Sequence, residues 1–388
     1  MTARQQQPES LEVDALLSDP ALRIVVCCGA GGVGKTTTSA ALALRAAEQG
    51  RKVVVLTIDP ARRLAQSMGI EALDNTPRAV PGVVGTGSLD AMMLDMKRTF
   101  DDVVLSQANP VKAKQILENP FYIAISSSFA GTQEYMAMEK LGQLHLDAQK
   151  SGRWDLIVVD TPPSRSALDF LDAPERLSSF LDGRFMRLLV APAKGPAKLM
   201  TAGFGLVTKA ITTIIGAQVL TDMQAFVAAF DTLFGGFRQR AQRTYDLLKA
   251  DGTAFVVVAA PEPDALREAA YFVERLRGED MPLAGLVLNR ANIADASELS
   301  EAAANAAAEK LRDSAEPGTP LARGLLLLHA EKLLIAAREA KLRQRFAAGH
   351  RDVATAVVPA LPSDVHDLEG LRLIGGLLAS QQAEPGAS

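Results

Sequence analysis

Cysteine is almost absent from this chain of 388 residues, which contains only Cys27 and Cys28. Neighbouring residues of a strand point to opposite faces, so these two thiols are not expected to form a disulfide with each other. No CxxC pair or other zinc-type spacing occurs in the sequence. The low cysteine content argues against a disulfide-stabilised or zinc-binding protein. It is typical of the reducing cytoplasm, where we expect this chain to act.

The sequence is poor in aromatic residues and has no basic stripe of the kind that nucleic-acid-binding proteins show. Phe, Tyr and Trp make up 5% of the chain, and its net charge is −4. Proteins that bind nucleic acids stack bases on aromatic rings and carry stripes of Lys and Arg. We therefore expect no nucleic-acid partner.

A hydrophobic run long enough to cross a membrane is not evident either. The most apolar stretch, residues 199–220, contains Lys209, three glycines and several threonines, which favours a buried or amphipathic helix. The first twenty residues lack the basic segment and the apolar core of a secretory signal. An association with a membrane would then depend on a partner.

The hydrophobic pattern predicts one domain between two flexible tails, residues 1–20 and 381–388. Residues 21–380 are enough to form one large domain with a substantial core, since 48% of the whole chain is hydrophobic. Apolar runs that are rich in β-branched residues predict buried parallel strands. We therefore predict a mostly parallel sheet with helices on both faces.

Two further regions have the pattern of helices. A helical subdomain is predicted at about 97–150 and 193–250 from the spacing of apolar residues. A segment rich in Ala, Glu and Arg predicts a helical insertion at about 292–350. Its two helices, 296–312 and 325–346, would form a solvated hairpin or an arm that binds a partner.

A glycine-rich loop has the spacing of a phosphate-binding P-loop. Residues 29–36 read GAGGVGKT, follow an apolar run and precede a helical pattern, as G-x-x-x-x-G-K-[ST] requires. Glycines let successive backbone N–H groups point at one anion, and the following helix adds its positive end. The predicted nucleotide-binding residues of this loop are Gly29, Ala30, Gly31, Gly32, Val33, Gly34, Lys35, Thr36 and Thr37. Lys35 can reach the β- and γ-phosphates, and Thr36 can ligate Mg²⁺.

Two aspartates end apolar runs that we predict to be parallel strands. Asp59 follows residues 53–58, and Asp160 follows residues 156–159. The carboxyl ends of parallel strands meet at one edge, so both carboxylates are expected beside the P-loop. Asp160 matches a Walker-B aspartate, whereas Asp59 could also cap the next helix. We predict that Thr36, Asp59 and Asp160 hold Mg²⁺, partly through water, and that residues 161–168 form a switch that senses the γ-phosphate.

Several of these segments resemble the arsenite-pump ATPase family. That family includes the ATPase that targets tail-anchored membrane proteins, and it is related to the MinD and ParA ATPases. The phosphate motifs that carry the resemblance are Gly29–Thr36, Asp59-Pro60-Ala61 and Asp160-Thr161-Pro162-Pro163-Ser164. Segments similar to the family's P-G-x-x-E stretch and adenine contacts are Ala130-Gly131-Thr132-Gln133-Glu134, Val287-Leu288-Asn289-Arg290 and residues 358–365.

The resemblance implies a P-loop NTPase that binds ATP and Mg²⁺ between the two subunits of a dimer. It assigns catalytic roles to Lys35 and to Asp59, which would position or activate the attacking water. It also implies that Asn289 and Pro359 contact the adenine.

The chain departs from the family at the second residue of the loop. The family has G-K-G-G-V-G-K-T, and its first lysine reaches the phosphates bound to the partner subunit, whereas this chain has Ala30. It could therefore form a heterodimer with a homologue that has the lysine. Alternatively, Arg62, Arg63 or Arg165 could supply the charge in a homodimer, or hydrolysis could be weak or absent.

The resemblance leaves the physiological role open. In the targeting relatives, helices in the part matching residues 198–248 form an apolar groove for a membrane-protein client, although an ordinary helical subdomain is the alternative. Arsenite extrusion is disfavoured, because the resembled pump uses cysteine thiolates and Cys27 and Cys28 lie in a buried strand. We predict an ATPase that couples opening and closing of a dimer to a membrane-protein client or membrane partner. The alternatives are a non-catalytic nucleotide-binding subunit and a MinD-like positioning ATPase, which usually needs a terminal amphipathic helix.

Overall fold

A single sheet runs through the part of the chain that the structure describes. The structure is a computed structural model that describes residues 9–59, 63–120, 122, 123, 126, 132–162, 236, 239–293, 299–313 and 316–380. The strands are β1 Ile24–Gly29, β2 Lys52–Thr57, β3 Arg78–Ala79, β4 Ser88–Met93, β5 Leu156–Asp160, β6 Thr253–Ala259, β7 Leu283–Ala291 and β8 Thr355–Pro359. Their order in the sheet is β3-β4-β2-β5-β1-β6-β7-β8.

All neighbouring strands are parallel except β3 and β4, which are antiparallel. The carboxyl ends of the parallel strands therefore lie at one edge of the sheet. The loop after β1 is at the centre of that edge, because β1 lies between β5 and β6. The predicted α/β fold with a mostly parallel sheet is confirmed.

Helices cover both faces of the sheet, as predicted. The described helices are α1 Val13–Ser18, α2 Lys35–Glu48, α3 Arg63–Ser67, α4 Met96–Gln107, α5 Pro110–Leu117, α6 Thr132–Ser151, α7 Pro263–Gly278, α8 Glu301–Lys310, α9 Thr319–Gly349 and α10 Leu368–Ala379. Buried side chains of α1, α2, α3 and α10 pack on one face, and those of α4, α5, α6 and α7 pack on the other.

The central strand β1 shows why the sheet needs cover on both sides. Every residue of β1 is buried. Val26 and Cys28 belong to the core under α4–α7, whereas Val25 and Cys27 belong to the core under α2 and α10. Alternate side chains thus enter two separate cores, which is why the strand is uniformly apolar. The expected separation of the two thiols on opposite faces is confirmed.

The N-terminal residues differ from the predicted flexible tail over residues 9–20. Leu11 donates its backbone N–H to the Thr355 carbonyl at 3.2 Å, which ties the segment to β8. Helix α1 then buries Val13 and Leu17, and Asp14 accepts a hydrogen bond from Arg45 Nη2 at 2.6 Å. The polar composition of the tail did not reveal these few anchoring residues.

The predicted helical regions are described in part. Helices α4, α5 and α6 and a helical segment at 239–249 fall within the predicted subdomain, and α8 and α9 pack against each other within residues 292–350. Helix α9 begins at Thr319 rather than near 325, because Gly318 turns the chain at φ +90° and Pro320 suits a first turn. Most of the possible client groove at 198–248 lies outside the described residues, namely residues 198–235, 237 and 238. Among the described helices, none is long and apolar enough to cross a membrane.

Phe272 gives a test of this packing. It lies on α7, is completely buried and packs in the core between that helix and the sheet. Phe272→Ala should lower the free energy of unfolding by about 3–5 kcal/mol, because it leaves a cavity in that core. The neighbouring Tyr271 is 52% exposed, so Tyr271→Ala should cost no more than about 1 kcal/mol. Chemical denaturation measures both, and equal losses would contradict the assigned core.

Candidate nucleotide site

The P-loop opens into a cleft of about 830 Å³ at the carboxyl edge of the sheet. The cleft is lined by parts of the P-loop, α3, the end of β7 and the segment after β8. Predicted site residues that line it are Gly32, Gly34, Lys35, Thr36, Thr37, Asp59, Asn289 and Pro359. A volume of this size is within the range of cofactor sites.

Two glycines of the loop, Gly29 and Gly34, stand where a side chain would not fit. A Cβ on Gly29 would lie 2.0 Å from the Val258 carbonyl oxygen of β6. A Cβ on Gly34 would lie 2.1 Å from the side-chain nitrogen of Asn289, and Gly34 has φ +92°. Gly32 also has a left-handed backbone, with φ +77°. The loop can therefore take this shape only with glycine at these places.

The start of α2 is suited to bind an anion. The helix begins at Lys35 directly after Gly34, which has no side chain to cap it, and its first turn contains no acidic residue. The first N–H groups of a helix lack partners within the helix and carry partial positive charge. These groups, with the loop, can receive the phosphates of a nucleotide.

Lys35 is buried and held inside the loop. Its Nζ donates to the Ala30 carbonyl at 2.7 Å. Burial keeps the pKa of Lys35 below its ordinary value, although the charges of Asp160 and Asp59 oppose that shift. Phosphate oxygens entering the cleft would give this ammonium group a stronger partner than a neutral carbonyl.

Asp160 lies directly beneath Thr36. Its Oδ2 accepts hydrogen bonds from Thr36 Oγ1 at 2.8 Å and from Thr57 Oγ1 at 2.9 Å. Its Oδ1 is buried and has no hydrogen-bond partner in the described parts of the chain. Burial raises the pKa of Asp160 to about 6, although the hydrogen bonds from the two hydroxyl groups and the charge of Lys35 act to lower it.

These atoms fit a magnesium ion. The orphaned carboxylate oxygen can accept a hydrogen bond from a metal-bound water, and the Thr36 hydroxyl can ligate the ion directly. No cluster of three or more His, Cys, Asp or Glu residues suited to a metal occurs in the described ranges. Mg²⁺ commonly takes few protein ligands and completes its shell with phosphate and water, so such a cluster is not required.

The segment after β2, residues 59–63, is described at its two ends. Asp59 lines the cleft, and its backbone N–H contacts Thr57 Oγ1 at 3.2 Å. Arg63 is exposed at the start of α3 and lines the same cleft. Arg62 and Arg165 lie outside the described residues, as do residues 163–168 of the γ-phosphate switch predicted at 161–168. Of the three arginines, Arg63 is the one that lies within the described residues, and it lines the cleft.

The other end of the cleft is formed by β7 and the segment after β8. Asn289 is buried at the end of β7, and its Nδ2 donates to the Val33 carbonyl of the P-loop at 2.9 Å. Pro359 ends β8 and is followed along the cleft by Leu361 and Ser363. The two residues predicted to contact adenine are thus brought to one cleft with the phosphate loop.

Some residues that support or line the site were missed from the sequence. Thr57 supports Asp160 because the β2–β5 register places the two residues side by side. Gln66 and Ser67 reach the cleft from α3. Only a polar residue at the end of an apolar strand could have drawn attention to Thr57. Four of the predicted loop residues do not line the cleft. Gly29, Ala30 and Val33 are buried, and Gly31 is exposed.

The thiols should be inert in the folded protein. Both cysteines are completely buried, and burial raises the pKa of Cys27 to about 12 and that of Cys28 still further. Since the thiolate is the reactive form, neither cysteine should react with Ellman's reagent within minutes at pH 8, and both should react in denaturant. Fast labelling of either thiol in the native state would contradict the assigned burial.

Comparison with known proteins gives one matching family and several relatives. The profile of a family described as anion-transporting ATPase matches residues 22–313. An arsenical pump-driving ATPase of Acidiphilium multivorum is 33% identical over 156 residues, which are 40% of this chain and 26% of that protein. The ATPase ASNA1 homolog of Entamoeba dispar is 26% identical over 286 residues, 73% of this chain and 80% of that protein.

An ATPase GET3 of Zygosaccharomyces rouxii is 26% identical over 281 residues, 69% of this chain and 72% of that protein. The chain thus spans about a quarter of the length of the arsenical pump-driving ATPases it matches. It spans most of the length of the relatives named ASNA1 and GET3.

Proposed function

Because this chain belongs to the anion-transporting ATPase family, we propose that it binds Mg·ATP in the cleft and hydrolyses it by attack of water on the γ-phosphate. The observation that carries the proposal is the arrangement at the foot of the P-loop. Thr36 and Thr57 both donate to one oxygen of Asp160, and the other oxygen is buried without a partner in the described structure. That arrangement suits a magnesium ion beside a bound triphosphate.

Each residue has a distinct role in this proposal. Lys35 and the N–H groups at the start of α2 bind the phosphate oxygens and stabilise the charge that develops on them. Thr36 and Asp160 hold Mg²⁺, with Asp59 contributing through water. The bound ion would neutralise charge on the β- and γ-phosphates. Asp59 also orients the attacking water or accepts its proton, which is the role of a general base.

The base would lie toward Asn289 and Pro359. Asn289 uses its NH₂ group on the Val33 carbonyl, so its side-chain oxygen is left as an acceptor for the exocyclic amine of adenine. We expect discrimination against guanine, which presents a carbonyl at that position.

Hydrolysis would depend on a second subunit. We propose a dimer in which nucleotide drives opening and closing and in which a membrane-protein client or membrane partner is handled. Family membership and the length shared with the relatives named ASNA1 and GET3 support this proposal. Because Ala30 has no charge, a lysine-bearing homologue would complete the site in a heterodimer, or Arg62, Arg63 or Arg165 would do so in a homodimer. Both assemblies would act in the cytoplasm.

A second candidate function is a nucleotide-binding subunit that does not hydrolyse ATP. The observation that favours it is also Ala30, which is small, buried and engaged through its backbone carbonyl with Lys35. In this case Lys35 and Thr36 would retain Mg·ATP as a structural ligand.

A MinD-like role has less support. The apolar face of α10 is used inside the protein, because Leu371, Ile374 and Leu378 are buried and the helix packs on α2. Such a helix is not free to lie on a membrane.

The test is to purify the chain with its native partners and to measure ATP turnover by the complex and by the chain alone. Turnover only in the complex would support the heterodimer, and turnover by the chain alone would exclude the non-catalytic subunit and favour a homodimer in which an arginine supplies the charge. Mutating the first P-loop lysine of a co-purifying homologue should abolish turnover in the heterodimer. No ATP binding in either preparation would overturn the proposed function.

A further inference from the structure

We infer that Asn289 is a positioning residue that holds the P-loop in its phosphate-binding shape, independently of any contact with a base. This inference rests on the proposed function of the cleft and assigns a second role to the residue. Its basis is the hydrogen bond from Asn289 Nδ2 to the Val33 carbonyl at 2.9 Å, which joins residues 256 positions apart.

The hydrogen bond crosses a strand of the sheet. Asn289 lies near the end of β7, and the P-loop follows β1, with β6 lying between the two strands. The side chain reaches over Gly34, where a Cβ would come within 2.1 Å of its nitrogen. At the start of the loop, Gly29 lies against the backbone of β6 at Val258. The loop is thus supported by β6 at its first residue and by Asn289 near its last.

The chemistry fixes the direction of this contact. A backbone carbonyl can only accept, so the Asn289 side chain must present its NH₂ group to Val33. Asn289 and Val33 are both buried, and a buried carbonyl that loses its donor is costly. The contact would therefore hold Val33, and the adjacent Gly34 with φ +92°, in place before a nucleotide enters.

The two ends of the amide would then serve different purposes. The NH₂ group fixes the loop, and the oxygen, which makes no hydrogen bond to another described residue, remains for a ligand. Loss of the NH₂ group should weaken the binding of phosphates that carry no base. A residue that only reads the base would have no such effect.

The experiment compares the wild-type chain with Asn289→Ala and Asn289→Asp. Asn289→Asp keeps an acceptor for the base but places an oxygen against the Val33 carbonyl. The matched control is Asn75→Ala, because Asn75 is also buried, accepts a hydrogen bond from Thr99 Oγ1 at 3.1 Å and is not part of the cleft. Calorimetry measures the affinities for Mg·ATP and for Mg·tripolyphosphate, which has no base. Hydrogen exchange of residues 29–37 is measured in the nucleotide-free protein.

In both Asn289 variants, the amide hydrogens of the P-loop should exchange about five- to tenfold faster in the absence of nucleotide. Their affinity for tripolyphosphate should fall by a similar factor. Asn75→Ala should change neither quantity. Wild-type exchange rates in both Asn289 variants would overturn the inference, as would unchanged tripolyphosphate affinity in Asn289→Ala. If the wild-type chain binds neither ATP nor tripolyphosphate, the proposed function fails, and the exchange rates still decide the role of Asn289.

Discussion

Lys35→Ala is expected to lower the affinity for Mg·ATP by about a hundredfold and to reduce turnover to background. Lys35 is the buried cation of the P-loop, and its Nζ lies 2.7 Å from the Ala30 carbonyl, where it can turn to a phosphate oxygen. Its removal would leave the bound triphosphate beside Asp59 and Asp160 without that opposing charge. Calorimetry with ATP and a phosphate-release assay measure the two effects.

The control for this variant is Lys112→Ala. Lys112 is an exposed residue of α5, so its loss should affect neither affinity nor turnover. Wild-type ATP affinity in Lys35→Ala would show that nucleotide does not bind at this loop. A similar loss in both variants would instead indicate a general effect of lower positive charge.

Asp59→Asn should have a different effect, with turnover lowered about 10²- to 10⁴-fold and ATP affinity nearly unchanged. The asparagine keeps the size of the side chain at the cleft but cannot accept a proton from the attacking water. Asp59 lines the cleft with Lys35 and Thr36, at the edge where the γ-phosphate is expected. Single-turnover kinetics in the active assembly separate the chemical step from binding.

A magnesium titration distinguishes the two roles given to Asp59. If its main contribution is to hold the ion, excess Mg²⁺ should restore much of the activity of Asp59→Asn. If it orients or activates water, the loss should persist at saturating Mg²⁺. Asp280→Asn is the control, because Asp280 is exposed and has φ +53°, a conformation that Asn also tolerates. Unchanged turnover in Asp59→Asn would remove this residue from the mechanism.

Local patterns allowed much of the fold to be predicted. A buried parallel strand must be apolar along its whole length, and β1, β2, β5 and β6 could therefore be recognised as continuous apolar runs. The turn between Glu316 and Gly318 was recognisable because proline and glycine break helices, although the start of α9 was misplaced. The family expected from the motifs is confirmed by the match over residues 22–313.

The predictions failed where few residues determine the structure. Residues 9–20 have the composition of a tail, yet Val13 and Leu17 pack in the core and Asp14 pairs with Arg45. Two apolar side chains in a polar segment give too weak a pattern to predict such an anchor. The partners of Asp14 and of the Leu11 backbone lie on α2 and β8, which are distant in sequence.

The sequence by itself determined that residues 29–36 form a phosphate-binding loop. The spacing of the glycines, Lys35 and Thr36 is a local pattern, so it can be recognised without knowledge of the rest of the chain. It also indicated that Asp59 and Asp160 would share an edge, since parallel strands end together. Only the tertiary structure decided that Thr57 supports Asp160 and that Asn289 donates to Val33. Those contacts depend on strand order and register, which are set by the packing of side chains on both faces of the sheet and not by any local motif.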